Sequence, residues 1–178
     1  MYIWIACDVS KSLDHIRELC KEKNKSLGIC DVAFTLPQHI SLKISFEVPD
    51  NIAPRVIDDV SAYLSMERAF SLSAPRPELF GSILWLKFED SEILSRMHRD
   101  LDSLLLGKYA IPQHEFDKSF LFHSTLFIDG EKNLLPMFEY VLTLGLPGKV
   151  DVSSFIIGTS DSGQAGTYSV IKTISAQK

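Results

Sequence analysis

Two histidines of this 178-residue chain share one short motif, and that motif is the feature of the sequence best suited to chemistry. His39 precedes Ser41 by two positions, His123 precedes Thr125 by two positions, and an apolar residue completes each motif. Residues two apart in a strand point to the same side, so each motif presents an imidazole beside a hydroxyl. One neutral and one protonated imidazole can serve as base and acid, and the hydroxyls can donate hydrogen bonds to phosphate oxygens. The motif pair therefore indicates phosphoester chemistry that needs no metal.

The positions of the two motifs within the chain make a chance occurrence of the pair less probable. Serine and threonine make up 27 of the 178 residues, so about one such motif is expected by chance among the histidines. Trp4 lies in an apolar run that is followed by a helical pattern and then by His39, 35 residues later. Trp85 begins the same order, and His123 follows it by 38 residues. This internal echo predicts two similar lobes related by a pseudo-twofold axis, with the two motifs facing each other across a cleft.

The elements that must position these residues follow from hydrophobic spacing. Alternation with a period of two predicts strands, and apolar residues three and four apart predict amphipathic helices. The predicted strands cover residues 2–7, 39–48, 69–73, 82–88, 119–128, 149–158 and 167–175, with a turn region at Pro75–Pro77. Three predicted helices begin at Ser10 or Ser12, at Asp50 or Asn51, and at Asp90 or Ser91, and a fourth covers residues 132–144.

Composition is typical of one soluble domain, since 46% of the residues are hydrophobic and 23% are charged. The 18 Lys and Arg residues are outnumbered by 23 Asp and Glu residues, which gives a net charge of −5. A protein that coats nucleic acid needs clustered cations, so we expect no broad nucleic-acid binding face. No stretch approaches the ~18 apolar residues of a membrane span, and we expect no membrane association.

Cysteine usage indicates a reducing compartment. Cys7, Cys20 and Cys30 match no metal-ligand spacing, and three cysteines cannot all pair within one chain. We therefore predict buried free thiols and a cytoplasmic location. A metal held by the two motif histidines is not expected, because neither motif offers a third ligand.

The paired strands resemble those of the two-histidine (2H) phosphoesterase superfamily, specifically its RNA 2′,3′-cyclic phosphodiesterase and 2′-5′ RNA ligase-like proteins. Residues 36–42, Leu-Pro-Gln-His-Ile-Ser-Leu, are similar to the Pro-x-His-hydroxyl strand of that family. Residues 3–8 and 83–86 resemble its two strands that carry Trp or another aromatic residue. The resemblance covers nearly the whole chain. The first motif has Ser where many members have Thr, and this departure keeps the hydroxyl.

The resemblance implies a fold and an activity. The fold is α+β, a single bilobal domain over residues 1–178 with echoing segments of about 1–80 and 81–178. Each lobe is an antiparallel-rich sheet with helices packed outside, and the two lobes surround a central cleft. The activity is hydrolysis of 2′,3′-cyclic phosphates of nucleotides or RNA ends without a cofactor. His39 and His123 become the catalytic pair, and the two motif hydroxyls hold the substrate phosphate.

Two other functions remain open from the sequence. The same four residues could cleave 2′-5′ oligonucleotides or join RNA ends in 2′-5′ linkage, because microscopic reversibility allows both directions. A nucleotide-binding module that keeps the cleft without turnover is the alternative outside enzymes. In each case we expect a monomer whose partner is a nucleotide or an RNA terminus.

Several further residues are weaker candidates for the cleft. Lys43 follows Ser41 by two positions and could contribute charge for a phosphate, while Phe127 follows Thr125 by two and could stack on a base. Tyr168, in the last predicted strand, is another stacking candidate. His98 lies beside the apolar stripe of its predicted helix, so we expect it to be a solvated surface residue.

Overall fold

The computed structural model describes residues 1–27, 32–89, 91–128 and 131–178. Over these residues the chain forms four α-helices and nine strands in antiparallel sheets, and this α+β architecture confirms the predicted fold class. No helix in the described part of the chain is both long and apolar enough to span a bilayer.

The helices and strands alternate along the chain. The strands are β1 (Tyr2–Asp8), β2 (His39–Glu47), β3 (Phe70–Ser73), β4 (Arg76–Phe80), β5 (Ile83–Lys87), β6 (His123–Ile128), β7 (Lys149–Val152), β8 (Ser154–Ser160) and β9 (Ser169–Ser175). The helices are α1 (Ser10–Ser26), α2 (Ala53–Ser65), α3 (Glu92–Tyr109) and α4 (Glu131–Leu142). Short 3-10 helices occupy Val32–Phe34 and Glu115–Ser119, each of them before a motif strand.

Side chains at the helix starts show why these elements begin where they do. Asp8 ends β1, and its carboxylate accepts hydrogen bonds from the Ser10 amide at 3.0 Å and the Ser10 hydroxyl at 2.6 Å. Ser91 precedes α3, and its hydroxyl accepts from the Leu94 amide at 3.3 Å. Pro54 stands in the first turn of α2, where its missing N–H costs nothing. Of these three helix starts, that of α3 has a side-chain cap, whereas the cap residues of α1 and α2 form no side-chain cap hydrogen bond.

The two motif strands lie at the edges of different sheets. One sheet has the order β2-β1-β8-β9, another has the order β4-β5-β6, and β3 pairs with β7 in a third. β2 and β6 are therefore each paired on one side only. Their unpaired edges lie close together. The Gln38 side chain, directly before β2, donates a hydrogen bond to a backbone carbonyl of β6. The cleft is built where two sheets meet edge to edge.

The core lies between the sheets and the helices. Each of the first three helices buries one apolar stripe, as the helical spacing predicts. The buried residues are Leu13, Ile16 and Cys20 in α1, Val56, Val60 and Leu64 in α2, and Leu94, Met97, Leu101 and Leu105 in α3. Cys7 and Cys20 are buried free thiols, as expected. Cys30 lies outside the described residues.

Three predicted elements differ from the structure. Within the predicted turn region Pro75–Pro77, Arg76 and Pro77 are instead the start of β4, because they pair with β5 in an edge strand that tolerates proline. The strand predicted over 119–128 begins at His123, after the 3-10 helix. The strand predicted over 149–158 is divided into β7 and β8, which belong to different sheets.

The echo between segments 1–80 and 81–178 does not coincide with the sheets. β8 and β9 come from the second segment, yet they pair with β1 in the sheet that holds the first motif. The division of the chain into two echoing segments stays a prediction about the sequence. In three dimensions each end of the chain contributes to the first lobe.

Gly158 of β8 leaves room for the Trp4 indole of the neighbouring strand β1. It pairs with Trp4, and an added Cβ would lie 2.5 Å from Trp4 Cε3 and 3.1 Å from the Ser169 carbonyl oxygen. Neither group can retreat easily, because the indole is buried and the carbonyl belongs to β9. The indole therefore packs closely against a position of β8 that has no side chain.

We expect Gly158→Ala to lower the free energy of unfolding by about 1–3 kcal/mol, through overpacking against the indole. Gly107→Ala in α3 is the matched control, because an added Cβ there meets no atom within 4 Å. Its better helix propensity should raise stability by up to about 1 kcal/mol. Urea unfolding of both variants measures the difference. Equal stability of the two variants would show that the indole can move aside.

Candidate active site

Each motif histidine is anchored by a carbonyl oxygen two residues before it. His39 Nδ1 lies 2.8 Å from the Pro37 carbonyl oxygen, and His123 Nδ1 lies 2.7 Å from the Leu121 carbonyl oxygen. A carbonyl only accepts, so Nδ1 carries the hydrogen in both rings. The neutral form of each ring therefore leaves Nε2 with a free lone pair. Both imidazoles are held in the tautomer that suits acid–base chemistry at Nε2.

Burial lowers the pKa of both imidazoles. The pKa of His39 falls to about 4, chiefly because the surrounding protein disfavours the charged ring, although the bond to the Pro37 carbonyl opposes this shift. The charge of His123 lowers it further. Burial likewise lowers the pKa of His123 below its usual value of 6.5. Each ring is half-buried, and the two are close enough for one charge to act on the other.

Each motif histidine also packs against an indole from the neighbouring strand. The ring centroids of Trp4 and His39 are 4.4 Å apart in an edge-to-face arrangement, and those of Trp85 and His123 are 4.1 Å apart. Phe80, which is 55% exposed, stacks on Trp85 with the ring centroids 4.6 Å apart. Aromatic walls restrict the rotation of both imidazoles and keep water away from one side.

Trp4 also orients the first motif hydroxyl. Its Nε1 donates a hydrogen bond to Ser41 Oγ at 3.1 Å, so the Ser41 hydrogen remains available to a ligand. Trp85 differs, because its buried Nε1 has no hydrogen-bond partner among the described residues. Sequence reasoning did not propose either tryptophan for the site. The sequence did contain a signal for them, because each tryptophan lies in the strand that precedes a motif strand in the internal echo.

A β-bulge follows each motif and redirects the strand beyond it. In β2, Ser41 faces Ala6 and Lys43 faces Ile5, so Leu42 is inserted without a partner. The strand then continues with Lys43 turned inward. A bulge places two residues opposite one and shifts the alternation of side chains. The simple period of two therefore fails directly after the hydroxyl.

The expectation that Lys43 lines the cleft is corrected by its burial. The side chain is 1% exposed, and its ammonium pairs with Asp102 of α3 at 2.6 Å and with Asp117. The bulge is the physical reason, because it turns Lys43 towards the interior. Its positive charge is committed to two buried carboxylates and does not face a ligand.

The expectation that Phe127 lines the cleft is wrong for the same reason, a bulge directly before it. In β6, Thr125 faces Trp85 and Phe127 faces Leu84, so Leu126 is the inserted residue. The Phe127 ring is fully buried in the apolar core and lines no part of the cleft. The two lobes thus carry a bulge at the same place relative to their motifs.

Tyr168 lies on the side of the first sheet that carries Trp4. The two ring centroids are 6.5 Å apart, and the Tyr168 hydroxyl bonds to Ser45 and, at 3.3 Å, to the Gly163 carbonyl oxygen. The ring is half-buried beside the indole. Its role as a stacking surface for a base stays a prediction.

Strand pairing brings two charged residues beside the imidazoles. Asp8 lies opposite His39 in the pairing of β1 with β2, and Lys87 lies opposite His123 in the pairing of β5 with β6. Residues directly opposite each other share a face of the sheet. The Lys87 ammonium is partly exposed and lies 3.3 Å from a Glu78 oxygen. Lys87, which sequence reasoning missed, is a charged residue opposite His123 in the strand register.

A buried cluster of charged and polar side chains contacts Leu42 and Lys43 of β2. His98, Asp102 and Asp117 have ligand-type atoms within 4.8 Å of one another, and the Lys43 ammonium lies between the two carboxylates. His98 is 6% exposed, and its nitrogens lie 2.7 Å from the Leu42 carbonyl oxygen and 3.2 Å from the Asp117 carbonyl oxygen. The expectation of a solvated His98 is therefore wrong. Since Lys43 already supplies the positive charge, we assign no metal to this cluster.

Sequence comparison connects this geometry to a known family. The family model of the 2′-5′ RNA ligase superfamily matches residues 5–164, a range that contains both motifs. A search of curated proteins finds no match.

Solved structures share the whole fold at low sequence identity. E. coli LigT in complex with 3′-AMP has a TM-score of 0.65 at 16% identity, covering 99% of this chain and 98% of LigT. TT0787 of Thermus thermophilus has a TM-score of 0.62 at 20% identity, covering 98% and 97%. Usb1 of Kluyveromyces marxianus has a TM-score of 0.53 at 12% identity, with the same coverage as TT0787.

We expect Lys43→Ala to lower the free energy of unfolding by about 3–5 kcal/mol, because it leaves two buried carboxylates without their cation. The control is Lys149→Ala, which breaks an exposed ion pair with Asp151 and should cost less than about 1 kcal/mol. Urea unfolding at neutral pH compares the two. A loss for Lys43→Ala no larger than that of the control would contradict the buried network.

Proposed function

Since the chain belongs to the 2′-5′ RNA ligase superfamily, we propose that it hydrolyses the 2′,3′-cyclic phosphates of nucleotides or RNA ends without a metal. Family membership supports the coarser statement, an enzyme that acts on phosphodiester bonds. The observation that carries the finer proposal is the matched pair of imidazoles. Each has its Nδ1 bonded to a backbone carbonyl just before its strand, its Nε2 without a hydrogen bond among the described residues, and a hydroxyl two residues away.

In the proposed reaction, water attacks the phosphorus of the cyclic phosphate while one imidazole takes its proton at Nε2. A new P–O bond forms to the water oxygen, and the bond from phosphorus to one ribose oxygen breaks. The second imidazole, protonated at the outset, gives its Nε2 proton to that leaving oxygen. The product is a phosphomonoester, and exchange of one proton with solvent restores both rings.

We assign the base to His39 and the acid to His123. A base must be neutral at the working pH, and His39 has its pKa lowered to about 4 by burial and by the charge of its partner. The acid must carry a proton, and a bound substrate brings a negatively charged phosphate to His123. The phosphate in turn favours the protonated imidazole.

The motif hydroxyls stabilise the charge that develops on the non-bridging oxygens. Ser41 accepts from the Trp4 indole, so its own hydrogen points away from that bond and can reach a phosphate oxygen. Thr125 stands at the same place relative to His123. Donors held in place before the reaction cost no reorganisation when the charge forms.

The charge of the chain favours a small substrate. The net charge is −5, and the cations beside the motifs are Lys87, which is partly held by Glu78, and Lys43, which is buried. A long RNA duplex would need clustered exposed cations. A mononucleotide or a short RNA end needs one phosphate site, and we propose that a monomer acts on such a substrate in the cytoplasm.

The complex of E. coli LigT with 3′-AMP supports this substrate class. A nucleoside 3′-phosphate is what remains when water opens a 2′,3′-cyclic phosphate at the 2′ oxygen. The superfamily's description equally favours a second candidate, cleavage or formation of 2′-5′ linkages, through the same four residues. A substrate panel that includes cyclic nucleotides and 2′-5′ oligonucleotides separates the two.

We expect His39→Ala and His123→Ala each to lower kcat for a 2′,3′-cyclic nucleotide by about 10²–10⁴-fold, because each removes one proton-transfer group. Ser41→Ala should lose about 10²-fold through loss of a phosphate donor. The assay is steady-state hydrolysis with EDTA present. His15→Ala, on the exposed side of α1, is the matched control and should keep full activity.

Two outcomes would overturn the proposed function. Equal rates in the wild type and both histidine variants would remove the histidines from the chemistry. Tight binding of nucleotides with no turnover of any cyclic or 2′-5′ substrate would show a binding module.

The pH dependence of kcat/KM should be a bell whose maximum lies below pH 6.5. Activity should fall as pH rises through the lowered pKa of His123, because the acid loses its proton. It should also fall as pH decreases towards about 4, where His39 becomes protonated and cannot act as a base. Rates from about pH 4 to about pH 8 measure this profile. A maximum above pH 7 would contradict the assignment.

A further inference from the structure

The residues next to the motif histidines form a buried contact between the two lobes. Gln38, directly before His39, and Ser124, directly after His123, are 2% and 0% exposed. Ser124 Oγ donates to Gln38 Oε1 at 2.6 Å, and Gln38 Nε2 donates to the Thr125 carbonyl oxygen at 3.0 Å. We call this pair of hydrogen bonds the Gln38 clasp.

The clasp occupies the place where strand pairing stops. β2 pairs with β1, and β6 pairs with β5, so the sheet orders leave both motif strands with a free edge. A carbonyl on a free edge that is buried without a partner costs stability. The Gln38 amide satisfies the Thr125 carbonyl, which belongs to one of the proposed phosphate-binding residues.

The clasp lies deeper in the protein than the imidazoles. Gln38, directly before β2, and Ser124 of β6 are buried, whereas His39 and His123 are half-buried. The Gln38 backbone is itself fixed, because its carbonyl oxygen accepts from the Val9 amide at 3.0 Å. The clasp therefore joins the second motif to a rigid point of the first sheet.

We propose that Gln38 is a positioning residue that sets the separation of the two motif histidines, and this proposal rests on the proposed function. A glutamine suits the task because its amide offers a donor and an acceptor at one point. A carboxylate could accept from Ser124, but it would lack the donor for Thr125. A hydrophobic residue would fill the space and leave both groups of β6 unsatisfied.

The separation matters because both rings must reach a single phosphate. Catalysis by two positioned groups depends steeply on their geometry, and a shift of about 1 Å can cost about 10²-fold in rate. The present separation is short enough for the charge of His123 to lower the pKa of His39. That interaction gives a measure of the separation that does not depend on turnover.

The test uses Gln38→Met, which keeps the length of the side chain, and Ser124→Ala, which removes one hydroxyl. Gln38→Met should lower kcat for a 2′,3′-cyclic nucleotide by about 10-fold or more, with KM changed by less than about threefold. Ser124→Ala should act in the same direction. Combining the two substitutions should cost less than the product of the single effects, because both break one contact.

Ser61→Ala is the matched control for the loss of a buried hydroxyl. Ser61 is 8% exposed and bonds to the Ile57 carbonyl oxygen within α2, on a helix that carries neither motif. We expect this variant to keep the wild-type kcat. Thermal unfolding of every variant shows which of them are folded at the assay temperature.

A second readout is the titration of the histidine rings by NMR. In the wild-type background, His123→Gln should raise the pKa of His39, because it removes a neighbouring charge. In the Gln38→Met background, the same substitution should have a smaller effect, since the rings are no longer held together. Ser124→Ala provides the same comparison if Gln38→Met does not fold.

The results separate failure of the clasp from failure of the proposed function. If wild-type protein turns over no cyclic phosphate, the proposed function fails, and the titrations alone decide the role of Gln38. Folded Gln38→Met with the wild-type kcat and an undiminished effect of His123→Gln would overturn the proposal. A loss of kcat in Ser61→Ala equal to that in Ser124→Ala would overturn it as well.

Discussion

The junction between two sheet edges is the constraint on which the rest of the structure depends. β2 and β6 each begin with a motif, and within the described part of the chain neither strand pairs with another on its inner side. The backbone N–H and C=O groups of both edges need hydrogen-bond partners, and the two strands must still leave room for a cleft. Gln38 donates a hydrogen bond to the Thr125 carbonyl oxygen and accepts one from Ser124, which joins the two edges without closing the sheets into one. Below the junction, the paired charges of Lys43, Asp102 and Asp117 join β2 to α3 and to the segment before β6.

The imidazoles show how backbone geometry prepares side-chain chemistry. In both lobes the ring nitrogen nearest the backbone bonds to a carbonyl two residues earlier, and an indole packs against the ring. These contacts fix the tautomer and the ring direction before any ligand arrives. What differs between the lobes is the charge of the residue opposite, which is Asp8 for His39 and Lys87 for His123.

Much of the fold and the two motifs could be predicted from sequence, because periodicity reports which face of an element is buried. His39 and His123 were found since each stands beside a hydroxyl in a period-two strand of a repeated order. Trp4 was missed because an apolar run with a tryptophan is typical of core. Lys87 was missed because only the register of β5 against β6 places it beside His123. Local sequence does not contain that register.

The two bulges have a consequence for how each strand is used along its length. Each one separates the histidine and hydroxyl of its motif from the next position in the strand, whose side chain turns into the interior. Equivalent positions show the result: Lys43 joins an ionic network, whereas Phe127 fills an apolar core. The two lobes thus stabilise the position beyond the bulge by different means, although the same motif stands before it. One strand passes from a motif to a packing surface within two residues.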